Sequence, residues 1–205
     1  MFGCLKSILK VGILVLALIG FKTIGGFEWV HDMWVKYHSD HVSQEELEKA
    51  KNVADISKAG NDYHFVKNTS AMGYNIVISE HNATGQKLAI MKNDGRNKDF
   101  FTQDDIVNGN MEKKLNDISR KLKKQYISVS DIKILKENGK KYQTSGNVKY
   151  VQFEAGIDNL PFRKIKGTIG VYNDQKQQER IIVSANAAEH YSPKKTKEYF
   201  DKIFN

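Results

Sequence analysis

The sequence predicts an α+β fold: an antiparallel β-sheet covered by a long central helix and a C-terminal helix, preceded by an N-terminal hydrophobic helix. Three observations carry that prediction. Runs rich in Val, Ile and Tyr alternate with Gly, Asn and Asp clusters through most of residues 61–205. One stretch among them, Thr102–Lys124, switches to a helical period. Near the N-terminus, Val11–Phe21 is an unbroken run of uncharged, mostly apolar residues.

The 205 residues suit one domain with appendages, and the patterns divide them at 1–26, 27–60 and 61–205. The formal net charge is +8. Seven lysines and seven acidic residues cancel over residues 1–60, so all of the excess lies in 61–205. Such a domain favours anionic partners, although a soluble basic surface gives the same count. The single cysteine, Cys4, excludes an internal disulfide and a cysteine-based zinc site.

In the first segment, Lys6 and Lys10 precede the apolar run and Lys22 follows it. The run has the length of a signal-peptide core and is short for a spanning helix of about 20 residues. Snorkelling of Lys10 and Lys22 would extend the hydrocarbon stretch to Ile8–Ile24. Phe27, Trp29, Trp34 and Tyr37 then read as an interfacial belt. Thr23 and Gly25 make a mediocre cleavage site. The pattern therefore favours an uncleaved anchor, with Ile8, Val11, Leu14, Leu16, Leu18 and Phe21 in the membrane. A cleaved signal and a buried soluble helix stand as alternatives. Lysine asymmetry places the N-terminus inside and the domain outside the cytoplasm.

Residues 28–59 read as helical. Ser43 and Glu46 fit a capping box, and Leu47, Ala50, Val53, Ala54 and Ser57 share one face, either on a stalk or packed on the domain. His31, Asp32, His38, Asp40 and His41 offer metal-ligand chemistry. Their spacing on a helix is too open for one ion, so a polar juxtamembrane face is the preferred reading.

The domain follows. Tyr63–Val66, Tyr74–Ser79 and Lys87–Met91 are strand candidates. Thr102 and Asp105 mark a helix start, and Val107, Met111, Leu115, Ile118 and Leu122 form one apolar stripe. The other faces of that helix carry Lys113, Lys114, Arg120, Lys121, Lys123 and Lys124, the candidate contacts for an anionic partner. Basic residues in a last helical turn also favour the helix dipole, which is their structural reading. Tyr126–Leu135 is a further strand candidate. Asn138-Gly139 then signals a hairpin, because both positions tolerate positive φ. Val148–Ala155, Lys164–Tyr172 and Arg180–Ala187 complete the strands. In Lys164–Tyr172, alternation turns Ile165, Gly167, Ile169 and Val171 inward and leaves Lys164, Lys166 and Thr168 on a solvated face. Ser192-Pro193 opens the last helix, which packs through Phe200, Ile203 and Phe204 with Tyr199 beside them.

This order of elements, with a closing helix of the form Tyr199-Phe200-x-x-Ile203-Phe204, resembles the PsbP/Mog1-like α/β sandwich family over residues 61–205. Gly73-Tyr74-Asn75-Ile76 stands where that family opens with an aromatic-Gly-Phe stretch. The resemblance implies an extracytoplasmic accessory or binding domain. A cystatin-like or NTF2-like curved sheet is the rival topology.

No phosphate-binding loop, dinucleotide fingerprint, HExxH, GxSxG or calcium loop occurs. His64, His81 and His190 read as surface histidines, with His190 the first to check for a cleft. Lys149, Lys164 and Lys166 interleave with Tyr150, Phe153, Phe162 and Tyr172, a pattern that single-stranded nucleic acid would fit but that a half-buried sheet also produces. Asn68-Thr69-Ser70 and Asn82-Ala83-Thr84 match the glycosylation sequon. The expectation is a non-catalytic, membrane-anchored or exported binding protein without a cofactor or metal, whose partner is a protein or an anionic envelope component. A hydrolase-like site assembled in space and nucleic-acid binding are the alternatives.

Overall fold

A computed structural model describes residues 44–71, 73–95, 100–122, 129–137, 139–157, 160–173 and 179–204. The apolar run, the aromatic belt, the histidine cluster and the Ser43 cap lie outside them. The fold is mixed α+β, built on an eight-stranded antiparallel sheet. The strands are β1 (Tyr63–Ala71), β2 (Tyr74–His81), β3 (Lys87–Asn93), β4 (Val129–Leu135), β5 (Gln143–Ser145), β6 (Val148–Ile157), β7 (Leu160–Asn173) and β8 (Glu179–Ala187). The helices are α1 (Gln44–Lys51), α2 (Gln103–Val107), α3 (Met111–Leu122) and α4 (Pro193–Phe204).

The spatial order is β1-β2-β3-β8-β7-β6-β4, with β5 also on β6. Two meanders, β1-β2-β3 and β6-β7-β8, are therefore joined edge to edge through β3 and β8, with Leu88 opposite Ser184 and Ile90 opposite Ile182. The segment carrying α2 and α3 takes the chain from β3, in mid-sheet, to β4 at the far edge. There β4 and β5 pair with successive parts of β6, Gln152–Ile157 and Val148–Tyr150.

Side chains alternate across each strand, and both faces of the sheet are covered. On one face Ile76, Met91, Val151, Phe153, Ile165, Ile169 and Ile181 pack under Ile106 of α2 and Met111 and Leu115 of α3. On the other, Val77, Leu88, Ile90, Val148, Tyr150 and Ile182 pack under Tyr199, Phe200 and Ile203 of α4. Ala50 of α1, together with Val53, Ala54 and Ala59 beyond it, belongs to this second layer. Arg180 and Lys92 hold that segment down by donating to the carbonyls of Val53 and Asn52, at 2.7 and 3.2 Å.

Covering both faces changes the reading of β7. Thr168, expected on a solvated face, is buried under α4. Tyr199, expected beside the packing face of α4, is fully buried in it.

The long central helix is two helices. The capping box at its start is present: the Thr102 hydroxyl accepts the Asp105 N–H at 3.3 Å, and Asp105 accepts the Thr102 N–H at 2.9 Å. The first helix lasts five residues, and the break follows at Asn108-Gly109, where Gly109 has φ +73°. The Asn110 N–H reaches back to the Asp105 carbonyl at 2.9 Å, and that of Gly109 to Ile106 at 3.2 Å. This closes a Schellman turn, which takes up the carbonyls left at a helix end. The restart re-phases the apolar stripe. Val107 is exposed, and Ile106 points into the core in its place.

Candidate anion-binding groove

The residues around this break line an opening in the fold. It is a half-open groove of about 430 Å³ between α3, the end of β4 and the hairpin that follows. Its floor is apolar: Ile106, Met111 and Val151 are buried, and Ile134 is half-buried. Lys113 of α3, Lys136 just beyond β4, and Lys141 before β5 line it, together with Glu112 and Asn116.

Local structure explains why these groups meet. The Schellman turn starts α3 at Met111, so its first turn forms one wall. A Cβ on Gly109 would sit 3.7 Å from Cδ of Lys141 and 3.8 Å from its Nζ, so the glycine seats that stem in van der Waals contact. The opposite wall is fixed by α3 side chains acting on an edge strand. Glu112 Oε2 accepts the Ile134 N–H at 2.9 Å, and Asn116 Nδ2 donates to the Ile132 carbonyl at 3.0 Å. Backbone groups of a sheet edge are thereby satisfied within the chain. Across the hairpin, Glu137 and Lys140 form an antiparallel bridge that sets the path leading to Lys141.

Lys113, Lys136 and Lys141 are all exposed, and none has a carboxylate partner among the described residues. Three lysines and one acidic residue, Glu112, thus line the same opening. The local charge suits an anion, which would replace ammonium–water contacts by charge-assisted hydrogen bonds.

The other basic residues of the central helix are placed differently. Lys114 Nζ lies 2.5 Å from Asp105 Oδ2 and also donates to the Phe100 carbonyl at 3.3 Å. It ties α3 to α2. Arg120 pairs with Asp117 one turn earlier, at 2.6 Å on the exposed face. The side chain of Lys121, and all of Lys123 and Lys124, lie outside the described residues. Sequence reasoning missed Lys136, Lys141, Glu112 and Asn116. The basic hairpin flanks at Lys136 and Lys140-Lys141 were visible, but their approach to α3 depends on the Gly109 turn.

A second polar cluster lies beneath α4, on the other face of the sheet. The buried Gln86 carboxamide donates to Thr196 Oγ1 at 2.7 Å and to Ser184 Oγ at 2.9 Å, and accepts the Ser192 N–H at 2.8 Å. Tyr191 hydrogen-bonds Thr168, and burial pushes its phenol up to about 12. Tyr199 bonds Ser79 at 3.0 Å, and burial raises it likewise to about 12. Every one of these groups is engaged in holding α4 on the sheet.

The histidines separate. His190 is exposed at the start of the link to α4, where its carbonyl accepts from Asn186. His64 is exposed and meets Asn82. His81 corrects the surface reading: it is buried, edge-on to the Tyr63 ring at 4.9 Å and bonded to Thr84. Burial lowers its pKa, and the nearby Lys195 charge adds to that.

Three of the interleaved aromatics are committed as well, and the side chain of Phe162 lies outside the described residues. Tyr150 lies in the layer under α4, Phe153 lies under α3, and Tyr172 packs on Phe204 at 4.6 Å. Lys164 and Lys166 flank Glu154 at 2.7 and 3.8 Å. Among the described residues no group of three or more His, Cys, Asp or Glu is placed to hold a metal, and no helix is long and apolar enough to cross a membrane. No protein-family model matches the chain, and no curated protein sequence matches it.

Proposed function

We propose that this chain is a non-catalytic binding protein, attached to a membrane by its N-terminal apolar run or exported by it, whose α+β domain engages an anionic partner. The observation that carries the reading is the meeting of Lys113, Lys136 and Lys141 around one apolar-floored groove, without carboxylate partners among the described residues. Support also comes from the polar layer under α4. Its hydroxyls and carboxamide are occupied in packing, so they act as structural groups. The order of elements that suggested the PsbP/Mog1-like resemblance is part of the same proposal and supports an accessory role by analogy of fold alone.

The test is binding of inorganic phosphate to the full chain at two salt concentrations. Replacing Lys113, Lys136 and Lys141 together by Ala should weaken binding at least tenfold. Replacing Lys58, Lys67 and Lys194, exposed elsewhere, removes the same charge and should change it little. Equal losses in the two triple variants would reduce the effect to net charge and remove the groove from the reading. Attachment is tested separately. The full chain should stay with membranes through alkaline extraction, and replacing Leu14, Leu16 and Leu18 by Asn should release it.

A further inference from the structure

We infer that the groove between α3 and the turn linking β4 to β5 takes a small amphiphilic oxyanion: one acid head group carried on a single short alkyl or aryl body. This rests on the reading of the groove as the anion site and adds what the ligand carries besides its charge.

Ile106, Met111, Ile134 and Val151 present apolar side chains to the opening, and none of them offers a side-chain hydrogen-bond donor. A bare inorganic anion seated there would give up water without compensation from below. A ligand with an apolar body covers that floor and gains the transfer energy of each buried methylene. The charged groups stand at the rim. Lysine stems are long and apolar, so Lys113, Lys136 and Lys141 can line the opening while their ammonium groups stay in water. A head group at the mouth then meets three mobile point charges, a suitable set for phosphate or carboxylate.

Glu112 adds a direction. Its Oε2 is committed to the Ile134 N–H at 2.9 Å, so its negative charge stays fixed on the α3 wall. It repels a head group from that side and steers it toward Lys136 and Lys141. It also disfavours polyanions, which would place charge at every point around the mouth. The volume of about 430 Å³ lies near the lower end of the range for small-molecule sites, about 300–1,000 Å³, which suits a single chain or ring.

The full chain in a neutral detergent is titrated calorimetrically with inorganic phosphate, ethyl, butyl and hexyl phosphate, tripolyphosphate, and hexanol, against protein-free detergent blanks. Affinity is expected to climb along the phosphate series by up to about fourfold per methylene. Hexanol should show no saturable binding. Lys113→Ala, Lys136→Ala and Lys141→Ala should each weaken hexyl phosphate several-fold, and Ile134→Ala should flatten the dependence on chain length. Melting curves of each variant establish that it folds.

Equal affinity for inorganic and hexyl phosphate, with lysine dependence retained, would overturn the apolar body while leaving the anion site standing. Equal affinity for hexanol and hexyl phosphate would overturn the role of the head group. Tighter binding of tripolyphosphate than of hexyl phosphate would overturn the preference for a single head group. Hexyl phosphate binding that ignores all three lysines would overturn this inference and the anion-binding reading together.

Discussion

The Lys114 ammonium lies 2.5 Å from the Asp105 carboxylate, while its neighbour Lys113 stands at the groove without a carboxylate partner among the described residues. Two adjacent lysines of one helix thus do different work. Asp105 is nearly buried, which by itself would raise its pKa. The Lys114 hydrogen bond, with those from Thr102, outweighs that burial and leaves it lowered. Lys114→Met is expected to cost about 1–3 kcal/mol, the cost of a hydrogen bond to a charged group. Lys113→Met should change stability by less than about 0.5 kcal/mol. Urea unfolding of both variants measures the contrast. Because the folded pKa of Asp105 is lowered, its contribution is complete above the unfolded value of about 3.9 and is lost as pH falls through the folded one.

Gln86 and Thr196 are 110 positions apart in sequence and 2.7 Å apart in the fold. Gln86→Leu removes the central carboxamide and strands the Ser192 N–H under α4, while the Ser184 and Thr196 hydroxyls keep each other at 3.0 Å. The expected cost is about 1–3 kcal/mol, that of one unsatisfied buried group. The loss should be local. Hydrogen exchange should accelerate across residues 193–204 before it does in β6–β8. Uniform acceleration across the sheet would show that the layer does not set the docking of α4.

The strands were largely legible because β-branched runs ended at turn residues, as at Tyr74–His81 and Lys87–Asn93. Asn138-Gly139 signalled a hairpin, and the chain does turn there through the Glu137–Lys140 bridge, but β4 and β5 do not pair across it because both pair with β6. What failed had a physical cause in each case. The stripe from Val107 to Leu122 read as one helix because its spacing fits an uninterrupted period, whereas Asn108-Gly109-Asn110 ends the first helix in the fold. Thr168 read as solvated because alternation shows which residues share a face, but not whether a helix covers it. The groove was half legible. Lys113 was visible on its helix, but the approach of Lys136 and Lys141 needs the β4–β6 pairing, a contact between distant parts of the chain. The β3–β8 junction was illegible for the same reason.

Gly167 of β7 is fixed by sterics. A Cβ there would lie 2.6 Å from the Phe153 ring and 2.6 Å from the Ser184 carbonyl oxygen. The ring could turn aside, but the carbonyl belongs to the β7–β8 ladder and cannot. Gly167→Ala should therefore cost about 1–3 kcal/mol by overpacking. Adding Phe153→Leu should not restore the loss, because the carbonyl contact remains. Thermal melts of the single and double variants check this, and full rescue would place the strain on the ring alone.

His81 gives the domain a pH dependence with a definite sign. Its Nδ1 accepts the Thr84 N–H at 3.3 Å and lies 3.0 Å from the Thr84 hydroxyl, so the folded state needs that nitrogen unprotonated. Burial lowers its pKa first, and Lys195 adds to the lowering, with Lys202 contributing least. Asp62 and Glu198 oppose it without reversing it. In the unfolded chain the imidazole takes a proton near pH 6.5. Between the two values the unfolded state binds more protons, so stability rises with pH there. The contribution is complete above about pH 6.5 and is lost as pH falls toward the folded value. His81→Gln removes the titration. Its stability deficit against the parent should be largest near pH 7.5 and shrink by pH 5.5, as measured by urea unfolding at each pH. A deficit constant across that range would mean that His81 titrates alike in both states. A deficit that widens on acidification would reverse the sign and place a stabilising positive charge at the Tyr63–Thr84 site.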